Sequence, residues 1–367
     1  MTLSKFFACT LAACALVTVS FSTPAGGIAA PMKEVKRTPA DSAAVEAAGH
    51  RSISAMAKGS NRGAGVKIRT DIAALKAAAN QGAAPQGKAA KGEAAKGEGS
   101  HGAGKGPTTQ YPADLGDLFG GATIPYAVQH PLYLIPNGSS CNTPACWGNV
   151  TQFLQDLNSS NIMDITDQYV NATGPRRYPV ADSMSGHYVM PSQPLTDADM
   201  AAWAYATAKS LGVSGYGHIF HIFLAPEQNV CLDSTDVTCS SNAFCAYHSS
   251  AVFADIGEVV YTVEPNNVNV FGCNQPAGSP NGGFDAIYSA LSQELFETIT
   301  DPDLKSWFNI ANSRLLGSEI GDECLFWVLD SSGSFVSSDS VVQKLNGHDY
   351  QIQTEYDNRS HGCTIHP

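Results

Sequence analysis

The stretch Ser292-Gln293-Glu294-Leu295-Phe296-Glu297-Thr298-Ile299-Thr300-Asp301-Pro302 gathers acids at a spacing that chemistry can use. Residues three and four apart share a helix face, so Gln293, Glu297 and Asp301 line up, with Glu294 beside Gln293. Carboxylates and an amide oxygen grouped in this way can hold a divalent cation, and an adjacent glutamate can serve as a general base. The pattern is an altered HExxH, the helical motif in which two histidines bind zinc and the glutamate handles protons. Gln293 stands where the first histidine would be and Glu297 where the second would be. The plain alternative is the solvated acidic face of an amphipathic helix, because ExxE pairs are common on helices.

Further segments extend the pattern. Trp307 and Gly317-Ser318-Glu319-Ile320-Gly321-Asp322-Glu323-Cys324 follow the helix, Phe244-Cys245-Ala246-Tyr247-His248-Ser249 precedes it, and Gln353-Thr354-Glu355-Tyr356-Asp357-Asn358 with Gly362-Cys363 closes the chain. With these segments, Tyr126 to Cys363 resembles the phosphate-induced protein (EXORDIUM-like) family of exported plant and bacterial proteins. Members of that family show SHExxExxTDP, a tryptophan-containing turn, and GxEIGDxC. The resemblance implies a zincin-like α+β domain with metal ligands at positions 293, 297 and 319. It also implies Glu294 as the base and Asp301 and Asp322 as supporting carboxylates.

This chain departs from the family at Gln293, where the motif histidine is replaced. A neutral amide oxygen is a poor zinc ligand and suits hard cations better. The expected function is therefore a degenerate, non-catalytic metallopeptidase-like binding domain at an extracellular surface. Its partner would be an extracellular protein, a peptide or a cell-wall component. Two alternatives stay open. One is an active metal-dependent peptidase in which zinc gains a further ligand from another histidine such as His248. The other is a structural domain stabilised by calcium.

The elements that would position these groups read as follows. Phe284 to Thr300 forms the best helix, stopped by Asp301-Pro302, and Thr196-Asp197-Ala198-Asp199 opens a second helix that runs to Leu211 before Gly212. Helical spacing also marks Asn149 to Leu157 and Ile162 to Tyr169. Strands are expected at Tyr126 to Ile135, His218 to Ala225, Val252 to Val263, Cys324 to Leu329 and Tyr350 to Tyr356. Uneven alternation of helices and strands indicates α+β. His218 and His221 are read as structural residues of their strand. No GxSxG elbow supports a serine nucleophile.

Composition sets the frame. Residues 1–29 read as a secretory signal peptide: Lys5 is followed by an apolar run from Phe6 to Phe21 and then by small residues. Leu11-Ala12-Ala13-Cys14 gives a minor lipoprotein alternative. Residues 30–110 are rich in Ala, Gly and Lys and hold no Trp, Tyr or Phe between Pro31 and Pro107, so they read as a disordered linker or pro-segment, with one short helix at Thr70 to Ala79. Residues 111–367 form the domain. From Thr108 onward the chain carries 7 basic and 27 acidic residues, a balance that excludes nucleic acid and anionic membranes as partners. Outside the signal lie Cys141, Cys146, Cys231, Cys239, Cys245, Cys273, Cys324 and Cys363, an even set that in an exported chain reads as disulfides. Local spacing suggests pairing each with the next in sequence.

Overall fold

The computed structural model describes residues 32–48, 52–57, 68–69, 114–141, 145–235, 237–310 and 315–367. The signal peptide with Cys14, the short helix at Thr70 to Ala79 and the Ala-Lys-Gly-Glu repeat lie outside these residues.

Chain order is β1 (Lys33–Val35), α1 (Pro39–Ala48), β2 (Ser52–Ala57), β3 (Ile68–Arg69), β4 (Leu115–Asp117), β5 (Val128–Pro136), α2 (Val150–Asn158), a 3-10 turn (Asn161–Thr166), α3 (Asp167–Val170), β6 (Met184–Tyr188), β7 (Leu195–Thr196), α4 (Asp197–Leu211), β8 (His218–Leu224), β9 (Val230–Cys231), β10 (Phe244–Phe253), β11 (Gly257–Glu264) and α5 (Phe284–Thr300). Short pairs follow: β12 (Trp307–Asn309) with β4, and the hairpins β13 (Trp327–Leu329) with β14 (Phe335–Ser337), β15 (Ser340–Leu345) with β16 (His348–Gln353), and β17 (Glu355–Asp357) with β18 (Gly362–Thr364). The α+β character expected from sequence holds, in a single domain stapled by four disulfides.

One sheet of eight strands organises the domain, in the order β1-β6-β5-β8-β11-β10-β2-β3. From β1 to β11 every neighbour is parallel, and β10, β2 and β3 then join antiparallel. Side chains alternate between its faces, as the pleat requires. Along β8, Ile219 and Phe223 enter the core beneath α5, with Leu291, Leu295 and Phe296, whereas Phe220, Ile222 and Leu224 enter the core beneath α4, with Met200 and Trp203. Each such side chain, fully buried, contributes about 1.5–3 kcal/mol.

Local chemistry sets the helix ends. Thr196 and Asp199 close a capping box at the start of α4, and Gly212 at φ 69° ends it in the left-handed region. The Asn281 N–H donates to Asp285 Oδ2 at 2.8 Å in the first turn of α5, and Pro302 prevents continuation past Asp301.

Three expectations need correction. The reading of residues 30–110 as disordered fails for 32–48, 52–57 and 68–69, which supply β1, α1, β2 and β3 to the sheet and its cover. Small side chains suffice there because strands joining an existing sheet are buried by their neighbours: Ile53, Ala55 and Met56 are all buried. Val252 to Val263 is not one strand but parts of two, β10 and β11, joined by a turn after which Gly257 opens β11 at φ 80°. The acidic face of α5 is not solvated, since Gln293, Glu294 and Glu297 are each 0% exposed.

The disulfides join Cys141–Cys146, Cys231–Cys239, Cys245–Cys273 and Cys324–Cys363, each cysteine bonding to the next in sequence. Among the described residues no helix is long and apolar enough to cross a membrane.

Candidate metal centre

A polar row crosses the sheet beneath α5. His221 of β8 stands opposite Thr262 of β11, Thr262 opposite His248 of β10, and His248 opposite Ser54 of β2. Residues opposite one another in register share a face, so the four side chains form a stripe. α5 lays Gln293, Glu294 and Glu297 over it, and the loop after β12 brings in Glu319 and Asp322.

His248, Glu297 and Glu319 offer ligand atoms that all lie within 4.8 Å of one another, and all three are buried. His248 Nδ1 is 3.2 Å from Glu294 Oε2 and 3.7 Å from Glu297 Oε2, while Nε2 is 3.5 Å from Glu319 Oε1. The Asp301 carbonyl oxygen lies 3.2 Å from Nε2. A carbonyl only accepts, so that contact places a hydrogen on Nε2 and leaves Nδ1 toward Glu294 and Glu297. A histidine fixed by a backbone carbonyl in this way is the usual partner arrangement of a metal ligand.

The Glu319–Cys324 loop is built to hold its acids still. The Asp322 N–H donates to Glu297 Oε1 at 3.1 Å, and the Glu319 N–H donates to Asp322 Oδ2 at 3.2 Å. Gln353 Nε2 donates to the Gly321 carbonyl at 2.6 Å, the Tyr356 N–H donates to the Ile320 carbonyl at 2.9 Å, and Cys324–Cys363 ties the end of the loop to β18. Gly321 is required by space: a Cβ there would meet Gln293 Cγ at 2.4 Å and Glu297 Oε1 at 3.1 Å.

Gln293, expected as a ligand, donates its amide nitrogen to Glu297 Oε1 at 3.1 Å and to Asp322 Oδ1 at 3.4 Å. It braces Glu297 from behind, while His248 stands with Glu297 and Glu319. Asp301, expected as a supporting carboxylate, caps the following turn by accepting from the Ser306 N–H at 2.6 Å, and its carbonyl serves His248. Asp322 supports Glu297 and Glu319 as described.

Burial, and after it the charges of Glu264, Asp322 and Glu319, hold the Glu294 carboxyl well above the usual carboxylate range, with the Met56 N–H opposing the rise. Glu264 is pushed up to about 8 by burial, against the Thr262 hydroxyl. His221 is pushed down to about 3 by burial and then by His130. Glu355, also buried, lies well above its usual range because of desolvation first and Asp322 second.

Sequence reasoning missed three members of this centre. Ser54 lies in a stretch that reads as linker, and its hydroxyl donates to the Glu319 carboxylate. Glu264 and Thr262 end a strand with no motif around them. Only strand register could have brought them in, and register is not written in local spacing.

No family model, curated protein or solved structure matches this chain.

Proposed function

We propose that this chain is an exported, metal-dependent hydrolase of peptide bonds with a zincin-like centre, in which His248, Glu297 and Glu319 hold a divalent ion and Glu294 is the general base. The observation that carries the reading is the convergence of those four side chains from a strand, a helix and a loop, with His248 replacing the ligand lost at Gln293.

The residues fit a metal in three respects. One imidazole with two carboxylates makes three protein ligands of kinds that zinc accepts, the number a catalytic site uses, with one nitrogen fewer than the His2Glu set. Gln293 Oε1 and Glu294 Oε1 are buried and accept no hydrogen bond among the described residues, so polar atoms beside the centre are left unsatisfied. Buried acids this close favour a cation, which would offset their mutual repulsion. The imidazole argues for zinc over calcium, which prefers all-oxygen sites. When bound, the ion supplies Lewis acidity toward a carbonyl oxygen. His248 is oriented by Asp301, and Glu297 by Gln293 and the Asp322 N–H. Glu294, with its proton affinity raised, takes a proton from the attacking water and returns it to the departing amine. The four disulfides fit an extracellular setting. The family-like segments at Ser292–Pro302 and Glu319–Cys324 support the reading because both line this one centre.

A second reading is a non-catalytic binding domain, favoured by the complete burial of His248, Glu294, Glu297 and Glu319. The separating experiment is elemental analysis together with peptide-library hydrolysis by the wild type and Glu294→Gln. Stoichiometric zinc and activity lost in the variant support the hydrolase. Zinc with no difference between the two proteins supports the binding domain, and absence of metal sinks the hydrolase.

A further inference from the structure

We infer that the edge of β10 beside the centre is a recognition surface for an extended peptide that adds as a strand, and that β2 is this chain's own stand-in for that peptide. The inference rests on the hydrolase reading for its substrate class and concerns what reaches the site and what keeps it shut.

The argument begins with closure. His248, Glu294, Glu297 and Glu319 are all 0% exposed, whereas a catalytic metal site must keep a position open. β2 supplies cover at that point. It runs antiparallel to β10 from Ser52 opposite Ser250 to Ala57 opposite Phe244, with Ser54 opposite His248. One of its side chains engages the centre itself: the Ser54 hydroxyl donates to the Glu319 carboxylate. An extended segment that joins the sheet while touching a proposed metal ligand is placed as a peptide substrate would be.

Recognition by strand addition draws affinity from main-chain hydrogen bonds and specificity from alternate side chains. β2 has that division. Ile53 and Ala55 enter the core shared with α4, while on the other face Ser54 reaches the centre and Met56 packs with Cys245, Cys273, Ala290 and Leu325. The residues on that face are small or unbranched, so other extended peptides can take the same path. β2 and its outer neighbour β3 also join the sheet differently from β10 and β11. Those two strands are linked by a tight turn in the acidic part of the chain, whereas β2 and β3 come from the basic segment between Pro31 and Pro107, β2 nearly 190 residues before its partner β10.

The test excises β2 from the folded full chain. Protease recognition sequences are inserted between Gly49 and His50 and between Gly59 and Ser60. After cleavage and dialysis, the piece is expected to leave while the rest keeps its circular dichroism. His248 should become open to histidine-modifying reagent, and a labelled synthetic peptide of residues 50–59 should rebind. An unrelated extended Ala/Ser/Val peptide should compete. A peptide carrying Ser54→Ala should bind about tenfold or more weakly, the worth of a hydrogen bond to a charged group. A piece that stays bound up to the unfolding midpoint, or whose loss unfolds the domain, makes β2 a permanent core strand and overturns the inference. Zinc is measured on the same samples. Zinc bound without peptide exchange defeats this inference alone, and exchange without zinc defeats the hydrolase reading while leaving the peptide-binding edge standing.

Discussion

His248 Nδ1 lies 3.2 Å from Glu294 Oε2, a contact between strand β10 and helix α5 that no local motif announces. Because the Asp301 carbonyl accepts from Nε2, Nδ1 is the nitrogen that faces Glu294 and Glu297. An imidazole nitrogen set among carboxylates calls for a proton or a cation between them. The protein dialysed without chelator should carry about one equivalent of zinc by elemental mass spectrometry. His248→Ala should lower its affinity at least 10–100-fold, the range that loss of a mere supporting partner already costs. Unchanged metal content in His248→Ala would reject this ligand set.

Glu294 separates function from stability. Glu294→Gln keeps the shape and removes both the base and a buried carboxyl whose charged form is disfavoured. The variant should retain zinc, lose hydrolysis by about 10²–10⁴-fold and melt no lower than wild type. A lower melting temperature together with metal loss would show Glu294 to be a structural member of the centre instead.

How much of this was legible depends on burial. The two long helices were, because their stop signals are local: α5 spans Phe284–Thr300 as its Asp-Pro end indicates, and α4 runs from its Thr196 cap to Gly212. β10 was not. It is buried on both faces over most of its length, so its sequence, FCAYHSSAVF, shows no alternation to read. The sheet-forming role of Ser52–Ala57 was hidden for a related reason. Its partner β10 lies almost 200 residues away, and its small residues bury themselves only because β10 is already there. The site was half legible: α5 and the Glu319–Cys324 loop carry motif-like spacing, whereas His248, Thr262 and Ser54 meet only through register.

Gly321 offers a steric probe of the same loop. A methyl group there meets Gln293 Cγ at 2.4 Å, too close for any real Cβ, and Glu297 Oε1 at 3.1 Å. Gly321→Ala must therefore push the Glu319–Cys324 loop away from α5 or twist Gln293 off its bonds to Glu297 and Asp322. Overpacking of this kind costs about 1–3 kcal/mol. Urea denaturation should show that loss, and zinc affinity should fall with it. An unaltered midpoint would mean that the loop has slack the packing does not show.

The buried polar row also predicts how stability varies with pH. Gln129 Nε2 donates to the Tyr178 carbonyl at 2.6 Å, so Gln129 Oε1, 3.1 Å from His221 Nε2, accepts and places the hydrogen on Nε2. His221 Nδ1, 2.9 Å from Thr262 Oγ1, then accepts from the hydroxyl, and Thr262 Oγ1, 2.8 Å from Glu264 Oε1, accepts from a protonated Glu264. A neutral histidine and a protonated acid agree with His221 lowered to about 3 and Glu264 raised to about 8. The signs follow from proton counts. His221 binds fewer protons folded than unfolded, so its contribution is complete above its ordinary 6.5 and is lost as pH falls toward 3. Glu264 binds more protons folded, so its contribution is complete below its ordinary 4.5 and is lost as pH rises through about 8. Between pH 6.5 and 8 the opposing rise from His221 fades within about one pH unit, while Glu264 contributes a decline of about 1.4 kcal/mol per pH unit at 6.5 and about half of that at 8. Glu264→Gln can still donate to Thr262 and has no proton to lose. Urea midpoints measured from pH 6.5 to 8 should decline less steeply in that variant than in wild type by this amount. Equal slopes would show that Glu264 is ionised in the folded protein and would reverse the hydrogen-bond order along the row.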